Sequence, residues 1–246
     1  MSKKIWAERK GLFLAVLYFS CMTYILVKGF MNKIAGYPIA GCKMDGIVFG
    51  MGPRQYMMIF WLPYFIVFYR FFRLDFSENL ILRKEKKERI LYEQQLKILE
   101  FAVMFQLLFF GISLLSGGNF CLCTWNSRES MFYGNTLQTT NLSGVELLIV
   151  IAVIGIVRLI IIGNIINLCF WYTNSLLLGN VIIIVGFICE SIFAKVRFVT
   201  RWCKADYHFF AFGVEKWRLV IYLFVNFLCM VGLYWYILRK KEFFKK

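Results

Sequence analysis

The chain has 246 residues, 60% hydrophobic and 19% aromatic, with 17% charged and a formal net charge of +15. That composition excludes an ordinary water-soluble domain, in which about a quarter of the residues carry charge. The basic excess is divided among membrane flanks and tails, so anionic headgroups account for it and nucleic acid is not an expected partner.

A bilayer core of ~30 Å needs about 20 apolar helical residues, and six stretches approach or exceed that length. They run from Gly11 to Lys28, Tyr56 to Phe72, Leu96 to Leu115, Val145 to Phe170, Leu176 to Ala194 and Trp217 to Leu238. Their apolar runs are continuous rather than alternating with period two, which predicts helices and not a barrel. The expected fold is therefore all-α and integral to the membrane, with residues 1–246 forming a single transmembrane domain. The first stretch follows Lys3, Lys4, Arg9 and Lys10 but lacks a small-x-small cleavage site, so it reads as a retained helix rather than a secretion signal.

Lys and Arg concentrate in the N-terminal segment, in the connection between spans two and three, and in the tail Arg239, Lys240, Lys241, Lys245 and Lys246. The positive-inside rule places these three in the cytoplasm, which requires an even number of spans with both termini inside. The connection before span six departs from the rule, since Lys195, Arg197, Arg201 and Lys204 fall on its outer side. Phe198, Trp202, Phe209 and Phe210 interleave with those charges, a pattern suited to an interfacial or re-entrant segment. The alternative, that Leu176 to Ala194 does not cross, changes the topology of everything after it.

Within the spans, Pro63 predicts a kink that frees a carbonyl near Leu62 or Ile59. Arg158 lies near the middle of span four, where a charge must face other helices rather than lipid. If spans four and five are antiparallel neighbours, Glu190 sits roughly five residues, or ~7 Å, nearer the outer surface, within reach of an extended arginine. Arg158 then either lines a polar translocation surface with Asn164 and Asn167 or locks two helices through an intramembrane pair with Glu190.

The chain lacks a GxxxxGK[ST] phosphate loop, an HExxH motif and a Gly-x-Ser-x-Gly elbow, so no catalytic residue, metal site or cofactor of its own is expected. Its one histidine, His208, lies in an aromatic run that suits a membrane interface. Of eight cysteines, Cys21, Cys169, Cys189 and Cys229 fall within spans and act as small apolar residues. Cys42, Cys121, Cys123 and Cys203 are external, and a disulfide between the first and second outer loops is expected only if the outside is oxidising.

Between spans two and three the chain carries Arg83-Lys84-Glu85-Lys86-Lys87-Glu88-Arg89, flanked by Leu80 to Leu82 and by Ile90 and Leu91. No Gly or Pro interrupts it, so a cytoplasmic helix over about 79–95 is predicted, presenting charged turns to a soluble protein.

With these elements in order, the chain resembles the permease subunits of ABC-2 type exporters, particularly small six-span permeases linked to export of, or immunity to, bacteriocins and other antimicrobial peptides. The resemblance rests on the short basic N-terminus, a first external loop of about 25 residues, the Leu80-Ile81-Leu82-Arg83 entry into a basic helix, and the aromatic, charged segment Lys195 to Lys216. It covers nearly the whole chain in architecture. Relatives often carry a Gly-Ser pair soon after the arginine matching Arg83, where this chain has Lys84 and Glu85. The resemblance implies a bacterial cytoplasmic membrane location and ATPase docking through Arg83 to Arg89. It also implies a soluble ABC ATPase in two copies, which would bind the ATP and magnesium, and a second permease, identical or different. A sensor or scaffold subunit of a larger assembly would share the spans and basic loops.

Overall fold

The computed structural model describes residues 2–37, 39–72, 87–193 and 195–240, with side chains described from Gly11 onward apart from residues 213–215. Among these residues the fold is all helix, about 78%, with no strand beyond one isolated bridge between Ala40 and Ser130. In chain order the helices are α1 (Ser2–Ile34), α2 (Lys43–Gly50), α3 (Pro53–Tyr56), a π turn (Met57–Trp61), α4 (Leu62–Phe72), α5 (Lys87–Ser116) and α6 (Met131–Thr136). There follow α7 (Gly144–Thr173), α8 (Leu176–Ile192), α9 (Tyr207–Ala211) and α10 (Gly213–Lys240).

Four helices are long and apolar enough to cross a bilayer, namely Gly11–Ile34 of α1, α5, α7 and Lys216–Lys240 of α10. The multi-pass membrane character expected from composition is thus present. The second and fifth expected spans are shorter. One is the interrupted stretch from Pro53 to Phe72, and the other is α8 with 17 residues.

The interruption has a local cause. Pro63 has no N–H to return to Ile59 and its ring crowds the preceding turn, so the helix widens to a π turn just before it. A carbonyl in that turn, Met58 O, accepts a hydrogen bond from Tyr18 Oη on α1 at 3.2 Å. Facing the turn is an aromatic core: the Phe19 ring lies 5.1 Å from Phe60 and 5.0 Å from Phe105, and Phe60 lies 5.3 Å from Phe109. Such pairs each add about 0.5–1.5 kcal/mol beyond the burial of their area. They join α1, the π turn and α5.

The cytoplasmic helix differs in part from expectation. Arg83, Lys84, Glu85 and Lys86 lie outside the described residues. From Lys87 the chain is already helical and continues without a break through Ser116, so the segment up to Gln95 is the first turns of span three rather than a separate element. Good helix formers with no proline explain the continuity.

Helix α7 is the hub, packing against α5 on one side and α8 on another. A capping box opens it: Ser143 Oγ accepts from Glu146 N at 3.2 Å and Glu146 Oε2 accepts from Ser143 N at 2.7 Å. Asn174 closes it in the left-handed conformation that short polar side chains tolerate, with φ 57°, and the chain reverses into α8. A Cβ at Gly179 would stand 2.7 Å from Ile166 Cα, so the glycine lets the two backbones meet. With residue 179 opposite 166, the antiparallel register sets Glu190 level with Arg158 to within a turn, rather than a turn and more beyond it. Helix α8 ends at Ile192, leaving roughly the first third of α7, about 15 Å, uncovered on that side.

Candidate functional site

The space that α8 leaves is filled by the segment 195–212, which turns back against the middle of α7. Arg158, 14 residues or roughly 21 Å from the start of α7, is 1% exposed there. Its three nitrogens each donate to a backbone carbonyl: Nε to Cys203 O at 2.6 Å, Nη1 to Met51 O at 2.7 Å and Nη2 to Thr200 O at 3.1 Å. The guanidinium also stands 5.1 Å from the centre of the Tyr56 ring, a cation–π contact. Met51 caps the C-terminus of α2, so its carbonyl is among those a helix leaves unpaired.

Glu190 is fully buried and holds the same segment from the other side. Its Oε1 accepts from Phe198 N at 2.6 Å and Arg201 N at 2.8 Å, while Oε2 accepts from Thr200 N at 3.3 Å and from the Thr200 hydroxyl. Arg158 and Glu190 therefore do not bond to each other. Each spends its charge on the polar backbone of a turn that could not otherwise enter an apolar body.

A cleft of about 380 Å³ opens beside this junction. Arg158, Arg197, Thr200, Arg201, Lys204 and Asp206 give it a polar, mainly cationic wall, and Val48, Met51 and Pro53 give it an apolar one.

Two of the connecting loops and α9 are tied together by one carboxylate with no counterpart among the expected site residues. Asp45, fully buried, accepts from Cys42 N at 2.8 Å, Trp125 Nε1 at 2.9 Å and Tyr207 Oη at 3.0 Å. The first loop, the second loop and α9 thus meet at a single side chain. Burial raises its pKa, and the three donors offset part of that rise. The signal available in the sequence was that Asp45 is the lone acid among the apolar and glycine residues from Gly41 to Gly52. Alongside it, backbone hydrogen bonds from Lys43 and Met44 to Cys121 and Leu122 bring Cys42 beside Cys123. That contact raises the Cys42 pKa and lowers that of Cys123. Cys42 and Cys123 are free thiols.

Asn164 and Asn167 belong to a different cluster, about 9 to 14 Å further along α7 than Arg158. Tyr234 Oη on α10 donates to Asn164 Oδ1 at 2.8 Å and accepts from Asn167 Nδ2 at 3.2 Å and Gln95 Nε2 at 3.1 Å. The expected grouping of Arg158 with the two asparagines is thus divided between two places, because six and nine residues along a helix separate them by more than a side chain can span. Near this second cluster, Trp171 Nε1 donates to Gln94 Oε1 at 2.7 Å and Lys87 Nζ to Leu238 O at 3.4 Å. Of the expected docking residues, Lys87 is therefore engaged within the chain. Glu88 and Arg89 face outward, Arg89 pairing at 3.6 Å with Glu93 one turn on.

Among the described residues, no group of three or more His, Cys, Asp or Glu side chains is placed to hold a metal ion. No known protein family, characterised protein or solved structure matches the chain.

Proposed function

We propose that the chain is the permease subunit of an ATP-driven exporter of the ABC-2 kind. It has six spans and both termini in the cytoplasm, and works with a soluble ATPase in two copies and a second permease in a bacterial cytoplasmic membrane. The observation that carries this reading is the polar cleft that reaches Arg158 halfway along the most apolar of the long helices, roofed by a segment that turns back against the fold before the last helix. Such intramembrane polar space is expensive in a protein that only spans and anchors. Its substrate is a peptide or other amphipathic molecule, in keeping with a cleft that has one cationic and one apolar wall. Helix α10 presents Trp217, Ile221, Phe224 and Phe227, each more than 60% exposed, a surface for lipid or for the second permease. Docking of the ATPase falls to Arg83 to Lys86 together with Glu88 and Arg89, leaving Lys87 to brace α10.

The reading is tested by reversing Arg83, Lys86 and Arg89 to Glu and co-expressing the soluble ATPase that co-purifies with the unaltered chain. Insertion and folded yield should persist, since charges in a hydrophilic run contribute little to stability, while co-purification and ATP-dependent transport are lost. Retention of both after the triple reversal would sink the docking assignment. The competing reading, a scaffold subunit, draws on the engagement of Arg158 by three backbone carbonyls and of Glu190 by three amides and the Thr200 hydroxyl. It requires that no ATPase co-purify with the unaltered chain.

A further inference from the structure

The cleft beside Arg158 carries more positive charge than its own residues neutralise. Its wall holds Arg158, Arg197, Arg201 and Lys204 against Asp206 alone, four cations and one anion. Asp206 is shared, lying 3.6 Å from Lys204 while its Oδ1 caps α9 by accepting from Phe209 N at 3.0 Å. Glu190 stands behind the wall, and both of its oxygens are taken up by the amides of 198–201 and the Thr200 hydroxyl. Counting Glu190 as well still leaves an excess of two positive charges.

The cations are also held in place. Arg201 is fixed by Nη1, which donates to Phe193 O at 2.6 Å and Val196 O at 3.1 Å, and among the described residues its Nε and Nη2 have no acceptor. The Arg197 guanidinium lies over the Trp202 ring, 5.6 Å from its centre. Planar guanidinium forks held apart by a rigid turn match the oxygens of a phosphate, which accepts several charge-assisted bonds at once. The volume exceeds that of a bare phosphate and falls within the range of small-ligand sites. Phe193, Val196 and Phe212 are exposed in the same stretch of chain, an apolar surface suited to contact with acyl chains.

We propose that this cleft binds a phosphate-bearing anion, supplied as a lipid headgroup or as a soluble phosphate compound. The proposal deepens the permease reading, whose site it shares, by naming the chemistry that the cationic wall recognises. Arg158 braces the fold, so the selecting charges are Arg197, Arg201 and Lys204.

The test is binding to the full chain purified in a neutral detergent, followed by native mass spectrometry and by the shift in unfolding temperature. The probes are dioctanoyl phosphatidic acid, dioctanoylglycerol and inorganic phosphate. Phosphatidic acid should bind saturably and more weakly as salt rises, and dioctanoylglycerol should not. The double variant Arg197→Gln, Lys204→Gln should weaken binding about tenfold or more, because each lost charge-assisted contact is worth a factor of several. The variant Asp206→Asn keeps a competent helix cap and removes the opposing charge, so it should tighten binding about threefold. That gain cannot arise from misfolding. Competition by inorganic phosphate assigns the site to soluble anions, and its absence assigns it to headgroups. Equal binding of dioctanoylglycerol, or affinities unmoved by both variants, overturns the proposal. ATPase coupling plays no part in the measurement, so a failed permease reading leaves the site standing, and absent binding with intact coupling refutes the site alone.

Discussion

Helices α7 and α10 are of nearly equal length and both apolar enough to cross a bilayer, yet 44% of the most apolar window of α7 is buried and only 6% of that in α10. Hydropathy therefore specifies that a helix lies in lipid and says nothing about whether it also packs. The difference lies in small residues and lodged polar groups. On the α7 side Gly163 leaves room for Tyr64 and Ile98, Gly179 of α8 sits on the α7 backbone, and Arg158 gathers three carbonyls. On α10, Gly232 has no described atom of another element near where its side chain would be, and the helix is held near its C-terminal end by Tyr234 and by the small cluster of Ile90, Leu168, Trp171 and Ile237.

The strongest way to break this contrast is Arg158→Met, which keeps the volume and the helix but orphans three carbonyls inside the fold. It should destabilise the protein by about 3–5 kcal/mol, seen as early thermal unfolding in detergent. A loss below ~1 kcal/mol would mean that the 198–203 turn does not depend on the arginine. Next in size, Gly179→Val forces α8 away from the Ile166 backbone and should cost about 1–3 kcal/mol, whereas Gly232→Val should stay within roughly 0.5 kcal/mol of the parent. Equal effects at the two glycines would erase the distinction between the helices.

Tyr234→Phe sharpens the comparison from the α10 side. Removing the hydroxyl leaves Asn164 Oδ1, Asn167 Nδ2 and Gln95 Nε2 short of a partner, and a cost of about 1–2 kcal/mol is expected, large for a helix so lightly packed. Smallest is a pH effect at Asp45, outside the spans. Its folded-state pKa is raised by burial, so the folded state gains stability from it below the ordinary carboxylate pKa of about 3.9 and loses that gain as pH rises through the raised value. The unfolding temperature of the parent should thus fall with rising pH above about 4 relative to that of Asp45→Asn. Parallel curves would show that Asp45 titrates normally.

The membrane helices were legible because burial in lipid needs only length and apolarity. Segment Gly144 to Thr173 was anticipated within a few residues, as was the proline-linked disturbance before Pro63. The special status of Arg158 was also legible, since a charge at that depth has few tolerable environments. Its partners were not: backbone carbonyls of Met51, Thr200 and Cys203 have no side-chain signature, and only the register set by Gly179 brings them to the arginine. The same holds for Asn164 and Asn167, whose separation from Arg158 follows from helical rise but whose partner Tyr234 lies 70 residues away in sequence from Asn164. Asp45 escaped notice because one acid in a loop reads as solvated, and its burial depends on Trp125 and Tyr207 arriving from elsewhere.

Those arrivals set an order of events during synthesis. Tyr207 follows Asp45 by 162 residues. At about 5–20 residues per second, roughly 8 to 32 s pass between the two leaving the ribosome. Throughout that interval the carboxylate lacks its third donor and the first loop cannot reach its final burial. The Asp45 junction therefore closes late, after three of the four long helices have been made. Trp125 follows Asp45 by only 80 residues, so its indole N–H can reach the carboxylate first, and Tyr207 then seals a junction that is already half built.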